Sequence, residues 1–149
     1  HRDRPHFDAH ALRCDYVQLI VYLSDVDSRT HCLSLSPESV DEPVLHDNGE
    51  QLERGGIVDI TGPAGTCVLF NASVLHTATT RPTDSVRRSV QIYYGHRARP
   101  PLANDSSIPP ALWRDHPDAE TRAFYGVLNE RTRVLMRVFA ESDHGEPHA

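Results

Sequence analysis

The chain has 149 residues, enough for one domain with a core of its own and too few for two comfortable ones. A net charge of -6, and 15 basic residues that are all arginine, exclude a lysine-rich phosphate-binding surface and any Schiff-base or lysine-base chemistry. No apolar run reaches the roughly 20 residues of a membrane span, so neither nucleic acid nor membrane is expected as a partner.

From Asp15 the run DYVQLIVYLSDVD predicts a buried strand of about eight residues. Alternation puts Gln18, Ile20 and Tyr22 on one face and Leu19, Val21 and Leu23 on the other. HCLSLS (31–36) then predicts a half-buried strand, with Leu33 and Leu35 alternating with Cys32, Ser34 and Ser36, ended by Pro37. Residues 38–54 are acidic and turn-rich and predict a surface excursion or lid. IVDI (57–60), TCVLFN (66–71), VLHTAT (74–79) and RRSVQIYY (87–94) read as four more strands, with a Gly/Pro turn at 61–65 and a tight break at Ala72-Ser73. After a loop over 97–110, Phe124, Val127, Leu128, Val134, Leu135 and Val138 recur at helical spacing and predict one helix from Pro117 to about Ala140. The tail, 141–149, is expected to be disordered.

Six strands followed by a helix predict a mainly β fold, a jelly roll or open barrel, organised as one domain with a core over 1–96 and a loop and helix over 97–140. Neither a dinucleotide-binding glycine motif nor a P-loop occurs. The three cysteines, Cys14, Cys32 and Cys67, contain no CxxC pair, which points to a reducing cytoplasm rather than a disulfide framework. Cys67, in an apolar run, is expected to be buried.

Three HxD triplets occur: His1-Arg2-Asp3, His6-Phe7-Asp8 and His116-Pro117-Asp118. Each is weak alone, since about one is expected by chance at this histidine and aspartate content. His76 is followed eleven residues later by Arg87, an offset no other histidine shares. The conjunction is more telling. His1-Asp3 precedes the first long strand, His76 lies on a later strand, and Arg87 opens the next. Two imidazoles and a carboxylate on one side of a metal leave three positions open, the facial triad of non-haem Fe(II) oxygenases. An arginine deeper in the barrel can then hold the far carboxylate of a 2-oxo acid. His6-Asp8 is the rival pair, Arg88 the rival arginine, and the remaining histidines read as surface residues, with His31 and His46 at a pocket rim.

These segments resemble the phytanoyl-CoA dioxygenase family. HRD with QLIVYLSDVD is similar to that family's HxD motif and following strand, AGTCVLFNASVLHTA to its distal-histidine strand, and RRSVQIYY to its cosubstrate-arginine strand. LSLSPES resembles its "PGSH" segment, and IPPALWRDHPDAETRAFYG is similar to the C-terminal sequence of bacterial members. The chain departs from the pattern at Glu38-Ser39-Val40, where the family has Gly-Ser-His, and at Thr30-His31, where it has Asn-Gly.

The resemblance implies a double-stranded β-helix, cupin-like, without the family's N-terminal part. It implies iron ligands His1, Asp3 and His76, and Fe(II), 2-oxoglutarate and O2 as cofactor and cosubstrates. Arg87 would hold the C5 carboxylate of 2-oxoglutarate, assisted by Ser89 and Gln18. The implied reaction is hydroxylation of a C–H bond of a small-molecule or acyl substrate, with 2-oxoglutarate converted to succinate and CO2. Asp3 favours this outcome over halogenation, which needs a small residue there. The alternatives are a cupin-like metalloenzyme that does not use 2-oxoglutarate and a non-catalytic jelly-roll binding module.

Overall fold

The first strand, β1 (Tyr16–Tyr22), carries its sequence alternation into space: Tyr16, Gln18, Ile20 and Tyr22 are buried, and the residues between them half-buried. Chain order continues with β2 (Cys32–Leu35), α1 (Asn48–Gly55), β3 (Val58–Ile60), β4 (Cys67–Asn71), β5 (His76–Thr79), β6 (Ser89–Gly95), α2 (Pro110–Trp113), α3 (Ala119–Tyr125) and α4 (Glu130–Ser142). This computed structural model describes residues 1–96 and 98–142. They form two compact units, His1–Tyr94 and the chain from Gly95 onward.

The first unit holds two three-stranded sheets, in the orders β4-β1-β6 and β3-β2-β5. β1 pairs antiparallel with β4, with Gln18 opposite Phe70, and β2 pairs antiparallel with β3 and β5, with Leu35 opposite His76. Contacts of Leu23 with Arg88 and of Gln18 with Gln91 run in opposite senses along the two strands, so β6 is antiparallel to β1 as well.

Ile20, Tyr22, Val26, Cys32, Leu33 and Phe70 form a core between the sheets. The Tyr22 hydroxyl crosses it, donating to the Ile60 carbonyl at 2.9 Å and accepting from the Leu33 N–H at 3.1 Å. One phenol therefore satisfies two backbone groups of the opposite sheet inside an apolar interior.

Within the first unit, three details differ from the sequence expectation. Cys67 is exposed, not buried. Phe70 faces the core opposite Gln18, so two-residue alternation turns Cys67 and Leu69 outward. β2 is not half-exposed either: Cys32, Ser34 and Ser36 are all buried. Arg81 covers Cys32, donating to its Sγ and to the Thr30 carbonyl while paired with Asp59. Ser34 donates to Asp59, which pulls that carboxyl below its ordinary pKa, and Ser36 is capped by Gln51 of α1. Third, the acidic excursion contains helix α1, whose N-cap Asp47 accepts from the Glu50 N–H at 3.0 Å.

In the second unit the helix expected from 117 to 140 is two helices. α3 ends before Gly126, and α4 starts afresh behind Asn129, whose Oδ1 accepts from the Thr132 N–H and hydroxyl. The Asn129 amide also donates to the carbonyls of Ala103 and Ser106, tying the preceding loop to this second N-terminus. Glu141 and Ser142, expected in the tail, close α4; residues 143–149 lie outside the described residues. No helix among the described residues is long and apolar enough to cross a membrane.

Candidate metal centre

The His1-Arg2-Asp3 segment is fixed by backbone pairing along the turn that leads into β5. The His1 nitrogen donates to the His76 carbonyl at 3.0 Å, the His76 N–H to the His1 carbonyl at 2.9 Å, and the Asp3 N–H to the Ala72 carbonyl at 3.1 Å. Successive side chains of an extended segment point to opposite sides. His1 and Asp3 accordingly turn toward His76, and Arg2 turns away to pair with Glu38 and donate to the Ser73 and Leu45 carbonyls.

Ligand atoms of His1, Asp3 and His76 all lie within 4.8 Å of one another, the one such group of three among the described residues. His1 Nε2 is 3.1 Å from Asp3 Oδ1, and His76 Nε2 is 3.5 Å from Asp3 Oδ2. Two ligands at right angles, each about 2.1 Å from an ion, stand about 3 Å apart, so the set fits one small divalent cation. The His76 Nδ1 lies 2.9 Å from the Val74 carbonyl, which can only accept. Nδ1 therefore carries the proton, and Nε2 presents its lone pair to the cluster. Phe70 packs edge-on against the His76 ring, 5.2 Å between centroids, shielding its core side. His76 and Asp3 are recessed, and the His1 side chain is 64% exposed, so the cluster opens at the molecular surface.

The sequence profile of the phytanoyl-CoA dioxygenase family matches residues 1–89, which include all three of these side chains. The chain belongs to the phytanoyl-CoA dioxygenase family. Solved structures similar to it include EctD from S. alaskensis with bound Fe, at 24% identity and a TM-score of 0.50, covering 60% of this chain and 34% of that one. EctD with 2-oxoglutarate and 5-hydroxyectoine aligns at 23% identity and a TM-score of 0.51, over 74% of this chain and 42% of that one. EvdMO1 aligns at 24% identity and a TM-score of 0.55, over 66% of this chain and 23% of that one. The fold is thus similar to theirs, and the chain spans less than half the length of each. No curated protein sequence matches it.

Within this family member the other motif residues fall as follows. Arg87 is half-buried just before β6, and it makes no hydrogen bond or ion pair among the described residues. Ser89 is half-buried at the start of β6. Gln18 is buried on β1; its amide donates to Gln91 Oε1 at 3.3 Å, and its own Oε1 has no hydrogen-bond partner among the described residues. Arg88 is exposed, and its backbone pairs with Leu23 and Ser24.

The rival HxD pairs are employed elsewhere. His6 bonds Glu38 at 2.7 Å while Asp8 is exposed, and Asp118 caps α3. His31 is half-buried and its Nδ1 accepts from the Arg81 N–H, and His46 is exposed. Sequence reasoning missed Tyr93, whose hydroxyl donates to Asp3 Oδ2 at 2.7 Å. Its signal was available in outline: Tyr93 lies an even number of residues from Arg87 and Ser89, on the same face of an alternating strand.

Proposed function

We propose that the chain carries the iron centre of an Fe(II)- and 2-oxoglutarate-dependent oxygenase that hydroxylates a C–H bond of a small-molecule or acyl substrate. The convergence of His1, Asp3 and His76 within 4.8 Å carries this reading. Two neutral imidazoles and one carboxylate suit Fe(II), and such a set leaves three positions for a bidentate 2-oxo acid and O2. When bound, iron with these cosubstrates would couple oxidative decarboxylation of 2-oxoglutarate to insertion of one oxygen atom into a C–H bond. The two facing antiparallel sheets are read as the sheets of a double-stranded β-helix, with the metal at one mouth.

The protein's own part is to hold and orient. Gln91 meets Gln18 and Tyr93 meets Asp3, so the odd-numbered side chains of β6 look toward the site. Ser89 shares that parity within the strand, and Arg87 shares it if the extended backbone continues two residues further, as the Leu23–Arg88 backbone bond at 2.8 Å favours. Arg87 has a guanidinium that no described protein group neutralises, which suits a bidentate bond to the C5 carboxylate. The Gln18–Gln91 pair supports Gln18 in the same task. Turning both amides keeps their mutual bond and leaves a Gln18 N–H, buried and unpaired, to donate to an anion.

The test is an anaerobic titration of Fe(II) and 2-oxoglutarate, followed by visible absorption. A charge-transfer band that requires both components and vanishes in His76→Ala is expected. Arg87→Ala should retain Fe(II) while its affinity for 2-oxoglutarate falls about a hundredfold, as loss of a charge-assisted bidentate pair implies. Iron binding without a cosubstrate band would favour a cupin-like metalloenzyme that does not use 2-oxoglutarate. No metal binding would favour a jelly-roll binding module.

A further inference from the structure

We propose that Tyr93 is a positioning residue for the carboxylate ligand, holding Asp3 so that it offers the metal one oxygen and not two; this rests on the triad reading above. The two Asp3 oxygens have different neighbours. Oδ1 stands 3.1 Å from His1 Nε2, while Oδ2 accepts the Tyr93 hydroxyl at 2.7 Å and lies 3.5 Å from His76 Nε2. A carboxylate that chelates through both oxygens fills one coordination position more than a facial triad can spare, and carboxylates do bind metals in either mode. A phenol hydrogen bond to one oxygen occupies a lone pair there and draws charge from the group, which favours binding through the other.

The arrangement is also a mechanical one. The Asp3 main chain is tied to Ala72, in the turn before β5, and its carboxylate is tied to β6. The side chain is thereby held from two directions before any metal arrives. His76 is oriented in the same manner, through Nδ1 and the Val74 carbonyl. Two of the three ligands thus have their direction set by hydrogen bonds outside the cluster. Tyr93 contributes the one that reaches it from β6, the strand that also carries Ser89, which is proposed to assist the cosubstrate.

The experiment compares wild type, His76→Ala and Tyr93→Phe in the full chain by anaerobic Fe(II) titration, and then by the charge-transfer band with 2-oxoglutarate added. Tyr93→Phe removes one oxygen atom and leaves the ring, and the Asp3 carboxylate it releases is partly open to water, so thermal unfolding of the metal-free protein should change little. Fe(II) affinity should fall about tenfold, the lower end for loss of a hydrogen bond to a metal ligand. The band should move to longer wavelength, because an Asp3 carboxylate relieved of its hydrogen bond donates more strongly to iron. Site-specific 3-fluorotyrosine at position 93, a more acidic phenol of nearly the same size, should move the band the opposite way and provides a second route if Tyr93→Phe fails to fold.

An affinity within about twofold of wild type, or a loss of affinity with the band unmoved, overturns the positioning role. If wild type gives no band, or His76→Ala retains it, the triad itself is overturned and the role of Tyr93 with it. A normal wild-type band, lost in His76→Ala and unshifted in Tyr93→Phe, overturns the Tyr93 role alone.

Discussion

Arg2 sits between two candidate ligands in sequence and belongs to a largely buried charged group beside the cluster. Its side chain is 13% exposed, and it is paired with Glu38, which is 10% exposed and also bonded to His6 at 8%. Removing one member of such a group strands the others without compensation, so Glu38→Ala should lower stability by about 3–5 kcal/mol in urea unfolding. Glu38→Gln, which keeps an acceptor for Arg2 but not the charge, should lose less. The same change should weaken Fe(II) binding, because Arg2 anchors the segment that presents His1 and Asp3. In the sequence, Glu38 is a departure from the family's glycine. Its partners are 36 and 32 residues away, and no local pattern announces them. The cluster of His1, Asp3 and His76 was legible because metal chemistry restricts residue types; Tyr93 was legible only as a residue on the same strand face as Ser89, because a hydrogen bond to a ligand imposes no spacing of its own.

Strands were more legible than helices, for a physical reason. Alternation in DYVQLIVYLSDVD and RRSVQIYY reflects a two-sided environment: β1 takes up the first half of the former run, and β6 falls within two residues of the latter. Helix α1 has little apolar content, but Asp47 followed by Glu50 at the third helical position is a capping pattern that could have revealed it. The break between α3 and α4 is likewise written in Gly126 and Asn129, a stop and a new N-cap hidden under a continuing apolar stripe.

Two predictions belong at this scale. Tyr22→Phe should cost about 1–3 kcal/mol in chemical unfolding, because it leaves the Leu33 N–H and the Ile60 carbonyl without their inter-sheet partner. Asp118, N-cap of α3, is held below its ordinary pKa of 3.8, first by the Thr121 hydroxyl and then by the Thr121 N–H. A depressed carboxylate stabilises fully above its unfolded pKa and loses that contribution as pH falls through the lower folded value. The stability advantage of wild type over the non-titrating Asp118→Asn should therefore be present at neutral pH and disappear in acid below 3.8. Thermal melts followed by helical circular dichroism across that range would detect it.

At the scale of the whole molecule, the candidate ligands come from segments far apart in the chain that backbone bonds and the Arg2 side chain bring together. His1 and Asp3 precede β1, and His76 opens β5, so a bound ion closes a loop of most of the first unit. The unfolded chain has no such preformed site, and binding free energy therefore adds to the stability of the folded state. At a metal concentration one hundred times the dissociation constant, this linkage is worth about 2.7 kcal/mol. Anaerobic Fe(II) should accordingly raise the unfolding midpoint of the His1–Tyr94 unit by several degrees in a concentration-dependent way. The shift should vanish in His76→Ala and be reversed by a chelator. Melting of α3 and α4, which carry none of the three ligands, should respond to Fe(II) only to the extent that the two units unfold together. Following a site-specific probe in each unit during the same titration would separate the two behaviours: coincident shifts would mark one cooperative protein, and a shift confined to the first unit would assign the metal's stabilising effect to the paired sheets alone.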